Sequence, residues 1–576
     1  MKRYIAIFVV FCAVSLSASA QVEKSVEVTK NYAPEIGVAR KMDITPNMID
    51  TITLRPEIDY SVTPRSFAST MSTHHFNPAT ITYWEYQRQY PFYLKLGVGY
   101  PLNTIGDLYA SAHRADVGYV TGYINHHGQY HRFKGYDNRA TQTENRFGVM
   151  GGKYFGRYTL SGDLHYDLNS YSRFPLNSDY DRRSIEYNDV KLAVNFGDSF
   201  ADYNHINFKV YGSANLYTDT SKNFVKDDRY QQINATAGVV LAREITKRGA
   251  LSLNVDYEGY YGLKSLGNYK NSIVGATLLC RYRSGSLLDI NAGVKLYYDH
   301  NSAYSGKKDK WHGFPVVNVS LNISDKGSAV PYVEVDGELR NNSYYSLVQR
   351  NPYVAILGSG NGLLQNNVAL PNTDIYNVRF GISGHSANSK FAYRLYANMS
   401  FILNDIYWYN VNEIFFDAVT ADRNVWSLCG SVDYKPISQL LITAQVKGSL
   451  YDESGYEGLD LSGSLPDIEA MLRLRYSHKK FTLGMTAELY GRTRWLSVYN
   501  EKLFNESAES DVKYASFIAP TSLNLSLYGD WHINKTCTVF VEGNNLLGDV
   551  KGLTTYRWAF YREMGASFTV GVKVQF

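Results

Sequence analysis

The sequence is short of several things that exclude whole classes of protein. Cysteine is scarce: Cys12 lies in an N-terminal apolar run, and Cys280, Cys429 and Cys537 are far apart in strand-like segments. An odd number of distant cysteines is no disulfide framework, and these three read as small packing residues. Beyond Tyr4 to Leu16 no apolar run is long enough to cross a bilayer as a helix. Helical periodicity is not sustained anywhere. Neither sign of charge dominates, with 58 Lys+Arg against 54 Asp+Glu and a net charge of +4. Losing Lys2 and Arg3 with the N-terminal segment lowers +4 by two, to +2, which gives no reason to expect a nucleic-acid partner. A Gly-rich phosphate loop, a CxxC pair and an HExxH motif are all missing.

Histidine offers little chemistry either. The clusters are His74-His75 and His126-His127 with His131. The second has imidazoles four apart, but on an expected strand end and loop, not on a helix where that spacing converges on a metal. No catalytic residue, cofactor or metal site is expected, and the chain is not read as an enzyme.

The chain is rich in tyrosine, with 50 residues, and in glycine, with 45; aromatics make up 14%. Lys2 and Arg3 precede the apolar run, and Ser17-Ala18-Ser19-Ala20 follows it. That arrangement is a secretory signal peptide over residues 1–20, cut before Gln21. A mean hydropathy of −0.30 does not argue against a membrane barrel, because lumen residues dilute its apolar signal.

Strict alternation supplies the fold class. At the C-terminus Phe568, Val570, Val572, Val574 and Phe576 point one way, and Thr569, Gly571, Lys573 and Gln575 the other. The same period of two runs through Tyr158–Tyr166, Leu251–Tyr257, Leu288–Leu296, Ile468–Tyr476, Phe481–Leu489 and Ser522–Trp531. Half-apolar strands repeated over such a length fit a barrel with lipid outside and a polar lumen inside. Short polar turns near Phe155-Gly156, Thr246–Gly249, Ser284-Gly285, Ser324–Gly327, Ala387–Ser389, Ile437–Gln439, His478–Lys480 and Asn534-Lys535 alternate with longer connections. The longer ones fall around 127–142, 169–184, 217–230, 299–312, 343–373, 404–420, 452–466, 495–518 and 548–563. With turns in the periplasm and loops outside, the expected fold is all-β. It is a single large antiparallel transmembrane barrel of about 22 strands, within a range of roughly 18–24.

Three regions follow: a signal peptide (1–20), a Pro-containing periplasmic segment (21–91), and the barrel (92–576). The middle region holds Pro34, Pro46, Pro56, Pro64, Pro78 and Pro91, a density that favours extended or irregular backbone.

Phe540-Val541-Glu542-Gly543-Asn544-Asn545-Leu546-Leu547, a Tyr-containing loop, Gly565 and the terminal strand together resemble the end of TonB-dependent receptor barrels. Asp50-Thr51-Ile52-Thr53-Leu54 is similar to the segment through which such receptors engage TonB. The Tyr-rich strands and the leader from Val26 to Ile58 look like Bacteroidota outer-membrane proteins of receptor-like type. One departure is plain. A receptor of that family carries a globular plug before its barrel, whereas only residues 55–91 separate Leu54 from Phe92.

The resemblance implies a receptor-like or porin-like barrel in the outer membrane of a Gram-negative bacterium, admitting or binding a solute. The alternative is a non-transporting scaffold or assembly component that docks a periplasmic or lipoprotein partner. Expected partners are outer-membrane lipid and a TonB-like or other periplasmic protein, or a surface lipoprotein. The leader, the long loops (343–373 and 495–518 above all) or a separate subunit are the candidates to close so wide a lumen. Glu469, Arg473, Arg475, Glu488, Arg492 and Arg494 are expected to face inward and set the lumen field. Tyr407-Trp408-Tyr409 with Phe415-Phe416 reads either as an anchor for a partner or sugar, or as interfacial girdle.

Overall fold

The computed structural model describes residues 90–576 apart from 133–138, 173–183, 199, 201–203, 221–229, 265, 268, 286, 304–306, 325–326, 355–369, 454–463 and 501–511. The Asp50–Leu54 segment therefore lies outside the described residues, as do both expected N-terminal regions up to residue 89.

The chain first runs up and down through β1 (Phe92–Tyr100), β2 (Asn103–Arg114), β3 (Gly118–Arg132), β4 (Arg139–Phe155), β5 (Tyr158–Ser172) and β6 (Ser184–Asp198). β7 (Asn207–Asp219), β8 (Tyr230–Thr246), β9 (Gly249–Lys264), β10 (Lys270–Ser284), β11 (Leu288–Asn301) and β12 (Asp309–Leu321) continue it. After β13 (Val330–Arg340) comes a short helix, α1 (Tyr344–Arg350), then β14 (Thr373–His385), β15 (Phe391–Val411) and β16 (Phe415–Ile437). β17 (Leu440–Glu453), β18 (Ile468–Ser477) and β19 (Phe481–Tyr490) lead to a hairpin, β20 (Thr493–Asn500) and β21 (Val512–Ala519). The last strands are β22 (Ser522–His532), β23 (Cys537–Asn544), the short pair β24 (Tyr556–Trp558) and β25 (Tyr561-Arg562), and β26 (Ser567–Gln575).

β19 pairs with β22, not with β20, so the wall skips the β20–β21 hairpin. β26 pairs with both β23 and β1, and Phe92 and Phe576 exchange backbone hydrogen bonds of 3.0 and 3.1 Å at the seam. The result is a closed antiparallel barrel of 22 strands, the number expected from the alternation.

Parity sorts the two faces of the wall. Val149, Leu164, Leu192, Leu395, Leu450 and Val570 point outward and are 49–69% exposed, whereas Thr569, beside Val570, is 2% exposed. An apolar band of this extent is stable against hydrocarbon rather than water. Aromatics border it at the rim of short turns, where Phe92 stacks on Phe576 at 5.2 Å and Tyr158 lies 5.4 Å from Phe208. All eight expected short turns sit at this rim.

The tyrosine and glycine content has a packing reason. On the inner face an aromatic ring repeatedly lies across a glycine directly opposite on the next strand. Tyr123 covers Gly148, Tyr211 covers Gly238 and Tyr528 covers Gly484. A Cβ at those glycines would fall 2.3, 2.4 and 1.9 Å from the ring. Flat rings thicken the wall without filling the lumen.

The connections at the other rim depart from the expected loops. The stretch 404–420 is not a loop: β15 and β16 run to Val411 and Phe415 and meet in a three-residue turn. A strand crosses hydrocarbon in about 9–11 residues, so strands of 21 and 23 residues overrun the wall. Their register shifts between Ile402 and Asp405, where the tip leaves the wall's ladder. The stretch 495–518 holds most of the β20–β21 hairpin, 548–563 holds β24 and β25, and 343–373 holds α1. β3 and β4 also reach into the expected 127–142 loop.

Candidate functional site

At the loop rim these overrunning segments pack on one another and on the wall. α1 comes first. Ser343 caps it by accepting from the Ser346 N–H at 3.2 Å, and Tyr344, Leu347 and Val348 form one buried stripe. The Tyr344 hydroxyl donates to Asp219 on β7, and Tyr345 donates to Asp189 on β6 at 3.1 Å. In return, Tyr187 of β6 donates to the Pro352 carbonyl. The Tyr217 ring fills the space between, 5.2 Å from Tyr345 and 6.1 Å from Tyr344.

Amides tie the end of β13 to the start of β14 and to β10. Asn271 on β10 and Asn372 exchange side-chain hydrogen bonds of 2.8 and 3.0 Å. Asn342 donates to the Pro371 carbonyl at 2.6 Å and to Thr373 at 2.8 Å. Such paired amides hold strongly because breaking one leaves its partner buried and unsatisfied.

The tip of β15 and β16 is extended sideways by the hairpin. β15 pairs in parallel with β20, matching Asn410 to Ser497 and Val411 to Val498, so β16, β15, β20 and β21 make a small four-stranded sheet. One face buries Tyr407, Tyr409, Val411, Phe415 and Val419 with Val498. The other buries Phe416 and Trp495 with Trp558, Tyr561 and the α1 residues Tyr344 and Val348, against the wall tyrosines Tyr171, Tyr187, Tyr217 and Tyr230. Trp558 lies 5.4 Å from Trp495, 5.6 Å from Phe416 and 5.9 Å from Trp408. Tyr561 donates its hydroxyl to the Ile414 carbonyl. At the base of the tip Arg423 stacks on Tyr407 at 4.0 Å and pairs with Asp405 at 2.8 Å. The aromatic run around Trp408 is thus the core of a cap, not a lipid-facing girdle.

Burial perturbs the cap's titratable groups. Asp417, on the tip beyond the lipid band, accepts from Tyr409 at 2.9 Å and from the Ala418 N–H at 2.8 Å. Burial still pushes its carboxyl up to about 7. Burial raises the Tyr353 hydroxyl to about 12, and burial with nearby Arg340 lowers Arg350 to about 10.

Of the charges expected to line the lumen, Glu469, Arg473, Arg475 and Glu488 share the inward parity on β18 and β19, opposite the outward Leu472 and Leu483. Glu469 pairs with Lys447 at 3.0 Å. Arg492 and Arg494 do not lie on wall strands: Arg492 precedes β20 and Arg494 is on it, donating to Ser516 at 3.2 Å. The wall also carries inward pairs that alternation did not single out. Lys95 with Glu542 and Lys573 with Asp530 flank Phe540, and Glu334 lies between Arg379 and Arg394. Among the described residues no cluster of His, Cys, Asp or Glu has the form of a metal site.

No protein-family model and no curated protein matches the chain. Solved structures do. The ferripyoverdine receptor of the outer membrane of Pseudomonas aeruginosa superposes with a TM-score of 0.62 at 12% identity, covering 86% of this chain and 72% of the receptor. The FrpB iron transporter of Neisseria meningitidis gives 0.65 at 11%, covering 85% and 82%. The copper transporter OprC gives 0.60 at 14%, covering 85% and 81%. Identities this low speak for the fold alone: the chain has the barrel fold of TonB-dependent outer-membrane receptors.

Proposed function

We propose that the protein is a receptor-like outer-membrane barrel that admits or binds a solute at the cell surface, with the loop-rim cap in the role a plug plays elsewhere. The observation that carries this reading is the cap itself. Wall tyrosines, α1, the β15–β16 tip and two hairpins share one buried aromatic core over the barrel mouth. A 22-stranded barrel is too wide for wall side chains to close, so a folded cap is a gate with a lumen beneath it. The fold shared with receptors and transporters of iron and copper supports the same reading without assigning those metals to this chain.

In this reading the turn rim and both termini are periplasmic and the cap faces outward. Residues 1–20 are the export signal, and 21–91 form a periplasmic segment. Asp50–Leu54 engages a TonB-like or other periplasmic protein by pairing as an added strand. A barrel of this Bacteroidota-like type would then be opened through its loops.

Single-channel recording tests the proposal. The intact protein in a planar bilayer is expected to carry no steady current, and deletion of 344–370 to open a pore of constant conductance. A barrel that stays sealed after that deletion and co-purifies with a stoichiometric partner would instead be a scaffold.

A further inference from the structure

One face of the small cap sheet brings together hydrogen-bonding groups that have no partner among the described residues. Trp408 and Asn410 are two apart on β15, and side chains two apart on a strand share a face. Phe416 is the partner of Asn410 on β16, and Ser497 is its partner on β20. Trp495, two before Ser497, joins the same face, and Trp558 packs on Trp408, Phe416 and Trp495 together. Within this ring of aromatics Asn410 is 0% exposed, Ser497 1% and Trp558 6%. Neither side-chain atom of the Asn410 amide has a partner among the described residues, nor has the Ser497 hydroxyl or the Trp558 indole N–H.

Buried polar groups are nearly always paired, so several orphans on one aromatic face call for a specific reason. Their chemistry is selective. An amide, a hydroxyl and an indole N–H offer neutral donors and acceptors, and none of the six residues on this face carries a charge. The indoles offer flat apolar surfaces. A ring with C–H faces and equatorial hydroxyls matches both sets at once.

We propose that this face of the cap is a binding site for a neutral saccharide, stacked on Trp408, Trp495 and Trp558 and hydrogen-bonded by Asn410, Ser497 and the Trp558 indole. The site rests on the receptor reading above and names its ligand class. Complete burial means that the cap parts to admit the sugar. The sugar then satisfies the groups left unpaired in the closed cap, so binding favours a cap in which Trp558 has moved off Trp408 and Trp495 to receive the ring.

Tryptophan fluorescence reads the site directly, because three of the chain's seven tryptophans line it. The full chain is held in an amine-oxide detergent, since a maltoside would compete, and titrated with glucose, galactose, maltose and lactose. A saturable change with at least one sugar, and none with citrate, is expected. Asn410→Leu and Ser497→Ala should each weaken it about tenfold or more, because a site built to bond a hydroxyl loses most when its partner is removed. Asn410→Leu should also raise the melting temperature of the empty protein, which a merely structural amide would lower. No saturable change with any sugar, wild-type affinity in both variants, or an experimental structure in sugar with ordered water only at Asn410 would overturn the site. If the 344–370 deletion conducts but no sugar acts on the intact chain, the site falls and the receptor reading stands. If sugars act but the deletion stays sealed, the gate reading falls and the site stands.

Discussion

The ring of Phe540 lies across Gly571, its partner in the ladder between β23 and β26, and a Cβ on that glycine would fall 2.5 Å from the ring. Lys95 and Lys573 hold the ring in place from 4.7 and 5.2 Å, each tied to its own carboxylate. This junction sits where the barrel closes on β1.

Gly571→Ala is therefore expected to loosen the seam. The new methyl meets the Leu96 carbonyl at 2.0 Å as well as the ring, an overpacking that costs about 1–3 kcal/mol. The temperature at which the folded barrel loses its compact migration on a denaturing gel should fall. Gly448→Ala, where nothing lies within 4 Å, should leave that temperature unchanged.

Replacing both Tyr344 and Tyr345 with Phe should unlatch α1 while the barrel stays folded. Each change strips a carboxylate, Asp219 or Asp189, of a tyrosine donor, a loss of about 1–3 kcal/mol per buried group. Flickering current from an otherwise closed channel is the expected signature. A channel as quiet as wild type would show that the cap does not depend on these bonds.

The cap should also loosen as pH rises. The Asp417 carboxyl sits at about 7 in the folded tip, against about 3.9 for a free aspartate. Between those values the folded state keeps a proton that the unfolded tip releases, so stability is full below the lower value and declines as pH climbs through the upper. Amide hydrogen exchange across 404–420, corrected for intrinsic rates, should be faster at pH 8 than at pH 5. Asp417→Asn should remove most of that difference.

Lys447→Ala should change conduction more than stability. The Lys447–Glu469 pair is partly solvated, so its loss costs within about 1 kcal/mol. Glu469 would then stand alone on the inner wall. In the 344–370 deletion, reversal potentials under a salt gradient should shift toward cation preference.

The wall was legible because each strand there meets two different media. Residues such as Phe568, Val570 and Val572 answer to lipid, and Thr569, Gly571 and Lys573 to the lumen, so a period of two is written into the chain. The rim of short turns was legible for a related reason, since Ala387–Ser389 and Asn534-Lys535 have little to do but reverse direction. Tyr407-Trp408-Tyr409 carries no such alternation, because the tip buries both of its faces. Consecutive aromatics of that kind read equally well as girdle or as anchor. Arg494, expected to face the lumen, belongs to a hairpin that the wall bypasses.

By itself the sequence determined an antiparallel barrel of about 22 strands, its lipid face and its turn rim, all properties of contacts between neighbouring strands. The tertiary structure alone decided how the mouth is closed and which groups meet there. Asn410 faces Ser497, and Trp558 faces Trp408, across long stretches of chain. Pairings so distant leave no period in the sequence and exist only once the loops have folded onto the wall.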